Sequence, residues 1–108
     1  MASHEDVRRI ALSLPETSER DHRRDPAFWV GGRIFAMLDR RGPFTELKLN
    51  RDDQLNMIAA YPGIVDPAPD YPQHGWTYVW FEKADDALLE TLLRLAWVNV
   101  APKRIPRA

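Results

Sequence analysis

Apolar residues recur with helical spacing at the start of the chain. Val7, Ile10, Ala11 and Leu14 stand at i, i+3, i+4 and i+7 and make one hydrophobic stripe. Ser3 precedes them, with Glu5 and Asp6 in the first turn, the pattern of a capped helix start. Pro15 should end this helix near Ser13, because the residue before a proline is driven out of the α region. Residues 16–26 break the pattern. They are crowded with charge, as in Glu19-Arg20-Asp21-His22-Arg23-Arg24-Asp25, and read as an exposed loop closing at Pro26.

Ala27–Val30 and Arg33–Leu38 read as two strands of a hairpin, with Gly31-Gly32 supplying the positive φ of a tight turn. After the turn Asp39–Pro43, Phe44–Leu49 alternates, which assigns Leu47 and Leu49 to the core and Glu46 and Lys48 to the opposite face. Asn50 can cap a second helix with Asp52 and Asp53 in its first turn, and Leu55, Ile58 and Ala59 are its expected buried stripe. Pro62-Gly63 stops it.

Residues 62–75 hold four prolines and two glycines and read as the longest irregular stretch, the kind of loop that often carries function. Trp76–Phe81 is a strand by composition. Both of its parities are partly apolar, so the pattern leaves open which one faces the core. Asp85 caps a last helix whose apolar face is Leu88, Leu89, Leu92, Leu95 and Ala96, joined by Leu93. The basic tail 101–108 is expected to be irregular. The element order α-β-β-β-α-β-α makes one α+β domain over residues 1–108. Its sheet is antiparallel, with helices packed on one face and the other face open.

Composition narrows the chemistry. At 108 residues with 44% hydrophobic and 29% charged residues, the chain has a globular balance and room for one domain. It has no cysteine, so disulfides, thiolate catalysis and Cys-ligated zinc or iron–sulfur centres are excluded. The first residues lack the basic and apolar regions of a signal peptide, and no apolar run is long enough to cross a bilayer; a cytoplasmic protein with no membrane partner is expected. The three histidines, His4, His22 and His74, show no ligand spacing, so no metal and no cofactor are expected. Ser3, Ser13 and Ser18 lack a nucleophile elbow, Gly31-Gly32 lacks the spacing of a phosphate loop, and the pairs Asp52-Asp53 and Asp85-Asp86 lie where helix dipoles favour negative charge. No catalytic residue is assigned, and the chain is expected to bind something without transforming it.

Net charge is −1, but the distribution is uneven: 20–51 and 91–108 carry an excess of basic groups and 52–90 an excess of acidic ones. Arg20, Arg23, Arg24, Arg33, Arg40 and Arg41 lie on a loop, a strand and a hairpin turn, from which arginines can reach a nucleic-acid backbone. Lys103, Arg104 and Arg107 could add a tail contact. The competing reading is a solvated surface with local pairs such as Arg20 with Asp21. Trp76, Tyr78 and Trp80 share one strand parity and form a binding platform if that parity is the open face, or packing if it is the core face.

The helix running into Ala11-Leu12-Ser13-Leu14-Pro15-Glu16, the segment Phe28-Trp29-Val30-Gly31-Gly32-Arg33-Ile34-Phe35-Ala36, then Leu47-Lys48-Leu49, His74-Gly75-Trp76 and Ala96-Trp97 before a Pro-Lys-Arg tail occur in an order that resembles the MmcQ/YjbR family of small bacterial proteins. The resemblance implies a CyaY-like fold and a double-wing DNA-binding protein without enzymatic activity. Double-stranded DNA would meet Arg33, Arg40, Arg41 and Lys48 on the wings and sheet, with Lys103 and Arg104 from the tail. The alternative is a protein- or small-ligand-binding module that uses the open sheet face (Trp76, Tyr78, Trp80 and His74) and the 62–75 loop.

Overall fold

A computed structural model describes residues 2–106. In it Ser3 caps helix α1 (His4–Ser13) through a full capping box with Asp6, and Leu14 leaves the helix in extended backbone ahead of Pro15. Val7, Ile10, Ala11 and Leu14 are all buried, as the stripe predicts. Four consecutive strands follow: β1 (Ser18–His22), β2 (Asp25–Val30), β3 (Arg33–Leu38) and β4 (Phe44–Lys48). Helix α2 (Arg51–Ala60), strands β5 (Val65–Pro67) and β6 (Trp76–Trp80), and helix α3 (Asp86–Val100) complete the order. The sheet is antiparallel throughout, with spatial order β1-β2-β3-β4-β6-β5, so β1 and β5 are its edges.

The α+β class, the antiparallel sheet and the order of the expected elements are those read from the sequence. Three local expectations are corrected. The stretch 16–26 is not a loop: residues 18–22 form β1, and Arg23 and Arg24, both at positive φ (52° and 74°), turn the chain straight into β2. Pro26 is tolerated because it follows the closing pair His22–Asp25, a position in a two-residue hairpin where no ladder bond is needed from its nitrogen. The stretch 62–75 is not wholly irregular, since it contains β5 and a short 3₁₀ turn, Pro72–His74. On α2, Leu55 is 50% exposed and Ala59 is exposed, while Gln54 is fully buried with Met57 and Ile58 half-buried. The tail has no regular structure but is anchored, because Ile105 is buried and its N–H donates to the carbonyl of Pro102. Arg107 lies outside the described residues.

The core lies between the sheet and the helices. Phe28, Val30, Phe35, Leu47, Val65 and Val79 from the strands meet Val7, Ile10, Leu89, Leu92, Leu93 and Trp97 from α1 and α3. A register shift opposite Phe28 and Trp29 places the neighbours Phe35 and Ala36 both in this core. No helix among the described residues is long and apolar enough to cross a membrane.

Candidate functional site

The question left open by the β6 sequence is resolved by burial: Thr77 and Val79 point into the core, and Trp76, Tyr78 and Trp80 lie half-buried on the open face. Strand register lines them up with β4, placing Trp80 beside Phe44, Tyr78 beside Glu46 and Trp76 beside Lys48. The rings of Phe44 and Tyr78 stack at 4.4 Å, and the Trp80 indole donates to Asp66 at 3.0 Å. The aromatic stripe is therefore built onto the outside of the sheet, where Tyr78 and Trp80 pack on Phe44.

A cavity of about 290 Å³ opens on this face. Met37, Glu46, Trp76 and Tyr78 of the sheet line it, with the β1–β2 turn (His22, Arg23, Asp25) on one side and Ala68, Asp70 and Tyr71 of the 62–75 segment on the other. Tyr71 is held in left-handed backbone at φ 56°, which a non-glycine residue adopts at some cost in free energy. Burial pushes the Glu46 carboxyl above its ordinary range, the nearby Asp39 adds to the rise, and Arg41 and a Tyr78 hydrogen bond offset part of it. Burial likewise raises the Tyr78 phenol, with Glu46 contributing. A carboxyl whose pKa is higher folded than unfolded costs stability as pH rises between those two values. Glu46→Gln should therefore raise the melting temperature at neutral pH, and the gain should vanish once the pH falls below the unfolded carboxyl pKa. Thermal melts at several pH values check this.

A second concavity, also about 290 Å³, lies at the end of the sheet where the β2–β3 hairpin turns. Arg33, Lys48, Arg51 and His74 line it together with Asn50, Gln73, Gly75 and Asn99, and no Asp or Glu does. Asp52 and Asp53 stand in the first turn of α2 but do not line it. None of Arg33, Lys48 and Arg51 forms an ion pair with another described residue. Arg51 donates to the Gln54 side chain at 2.7 Å, and the Lys48 ammonium lies 5.8 Å from the centre of the Trp76 ring. The backbone of Gly75 seals the cleft against β4 through the Leu49 N–H, which donates to the Gly75 carbonyl at 3.0 Å.

The other predicted cations are placed differently. Arg40 and Arg41 follow β3 at its far end, about 20 Å from Arg33 at the rise of an extended strand. Arg41 is clamped on the buried carboxylate of Asp39 at 2.6 Å, which raises the guanidinium pKa, and Arg40 approaches Asp21 at 3.9 Å. Arg104 pairs with Glu16 at 3.5 Å. Lys103 is exposed and directly follows Pro102, which packs on Gly31 of the β2–β3 turn. Of the six predicted cations the fold thus gathers Arg33 and Lys48 in one cleft and sets Arg40 and Arg41 at the opposite end. Arg51 and His74 complete the cleft. Arg51 stands apart from the expected basic set, and His74, expected on the ligand face with Trp76, Tyr78 and Trp80, lines this cleft and not the open-face cavity. Among the described residues no group of three or more His, Asp or Glu is placed to hold a metal ion.

The model of the YjbR family matches residues 12–99. Among solved structures, the fold is similar to the crystal structure of Deinococcus radiodurans protein DR2400, a protein with the family-model domain DUF419. That similarity has a TM-score of 0.80 at 22% sequence identity and covers 99% of this chain and 84% of that one. Comparison with curated proteins gives no match.

Proposed function

Because the chain belongs to the YjbR family, we propose that it is a non-enzymatic DNA-binding protein whose main phosphate contact is the cleft at the β2–β3 end of the sheet. The observation that carries this reading is the convergence of Arg33, Lys48 and Arg51 on one cleft with no carboxylate in its lining and no ion-pair partner among the described residues. Free protein cations neutralise phosphates and release the counter-ions condensed on the duplex, which is the main source of sequence-independent DNA affinity. Arg40 and Arg41 contribute less, because their charge is already answered by Asp21 and Asp39. With a net charge of −1, the whole molecule offers little long-range attraction, so binding is weak and local.

Fluorescence anisotropy with a short duplex, repeated over a range of salt, tests the reading. Affinity should fall steeply with salt. Replacing Arg33, Lys48 and Arg51 by Ala should flatten the dependence of log K on log salt by about 2 to 3, at roughly 0.9 per phosphate contact. Replacing Arg40 and Arg41 should change it by less. The reading fails if duplex does not bind at low salt, or if the triple variant binds as the parent does.

A second reading, a small-ligand module on the open sheet face, is favoured by one observation: Trp76 and Tyr78 line a concave cavity there instead of filling the core.

A further inference from the structure

Deepening that second reading, on which it rests, we propose that the open-face cavity binds a small organic cation, an ammonium or guanidinium group on a short frame. Its walls are Trp76, Tyr78 and Tyr71, whose ring faces carry the negative side of an aromatic quadrupole. Three carboxylates, Asp25, Glu46 and Asp70, line it against a single arginine, Arg23. None of the three forms an ion pair with another described residue, so the lining carries an excess of negative charge that Arg41, acting on Glu46 from nearby, offsets only in part. Two tryptophans of the sheet already meet cations: the Arg20 guanidinium lies 4.1 Å from the centre of the Trp29 ring, and the Lys48 ammonium approaches Trp76.

A metal ion fits the cavity less well. Hard cations need several oxygens converging within about 2.5 Å, and no such group is assembled among the described residues. An organic cation instead uses dispersed carboxylates and flat ring faces together. A volume of about 290 Å³ stands at the small end of ligand pockets, near roughly 300 Å³. The site is separate from the cationic cleft, the two having opposite charge and no lining residue in common.

Amide and indole NMR shifts of the full chain, titrated with agmatine, tetramethylammonium, butyramide and butyrate, test the proposal. Agmatine and tetramethylammonium should move the signals of Tyr71, Trp76 and Tyr78 and saturate in the millimolar range. Glu46→Gln should weaken agmatine binding by roughly tenfold, and the Arg33→Ala, Arg51→Ala double variant, which alters no residue lining the cavity, should bind it as the parent does. Trp76→Leu, which removes a wall without touching charge, should also weaken it. If butyramide or butyrate binds as tightly as agmatine, the cation assignment is overturned while the ligand reading of the cavity stands. If agmatine moves none of these signals at tens of millimolar, both are overturned. Unchanged agmatine affinity in both single variants also overturns the cation assignment.

Discussion

Gly75→Ala should lower stability by about 4 kcal/mol or more, near the upper end of what a single substitution does. Two effects combine. Gly75 sits at φ 90°, in backbone that an L side chain rarely adopts, which costs about 1 kcal/mol. In addition, a Cβ there would collide with the carbonyl oxygen of Leu49. That oxygen belongs to the main chain and cannot swing away as a side chain would. Separating the two segments would also break the bond from the Leu49 N–H to the Gly75 carbonyl. For a domain of this size each kcal/mol moves the melting temperature by about 5 °C, so a fall of about 20 °C is expected in a thermal melt followed by circular dichroism. Gly63→Ala is the control. Gly63 has a similar φ of 81° but open space around the missing Cβ, so it should lose only the dihedral cost of about 1 kcal/mol. Equal losses in the two variants would show that the Leu49 collision is not what fixes this position.

The second large effect is expected at Trp97. The side chain is 1% exposed, and its indole N–H donates to the carbonyl of Pro15 at 3.0 Å, tying α3 to the end of α1. Trp97→Ala should cost about 3–5 kcal/mol, from lost burial and the hole left behind. Trp97→Phe keeps most of the apolar volume but leaves the Pro15 carbonyl with the longer bond from the Thr17 hydroxyl at 3.4 Å, and should cost about 1–2 kcal/mol. Urea unfolding of both variants, with the slope unchanged and the midpoint shifted, separates the packing from the hydrogen bond. A loss in the Phe variant as large as in the Ala variant would mean that the hydrogen bond, and not the volume, dominates.

Where one element is read by its own period, the sequence is sufficient. The α1 stripe, the Gly31-Gly32 hairpin, the alternation of Phe44–Leu49 and the Asp85 cap all appear in the structure. Reading fails where a residue's role is set by something distant. Gln54 is buried because its amide donates to the carbonyls of Pro72 and Trp76, 18 and 22 residues ahead, so the turn of α2 that faces inward is polar and the expected Leu55 faces out. β1 hides behind its charges because only one side of it is paired and both faces are largely solvated. The segments that carried the family resemblance show why they work as a set. Leu49 meets Gly75, Pro15 meets Trp97, and Gly31 meets Pro102. Each short motif is half of a tertiary contact. The candidate sites were legible only in part for the same reason: Arg33 and Lys48 were visible as charges, while their convergence with Arg51 and His74 is a property of the folded sheet.

The two margins of the sheet bear on how the protein behaves when crowded. An unpaired strand offers a row of N–H and C=O groups onto which another chain can add, the first step toward fibrils. β5 is three residues long and closes on Pro67, which has no N–H to offer. β1 is longer, but its sequence Ser-Glu-Arg-Asp-His brings a charged side chain at three successive positions. An incoming strand would have to strip water from those charges before gaining its first bonds. The charged run that disguises β1 as a loop is thus the same feature that keeps copies of this protein from growing onto one another edge to edge.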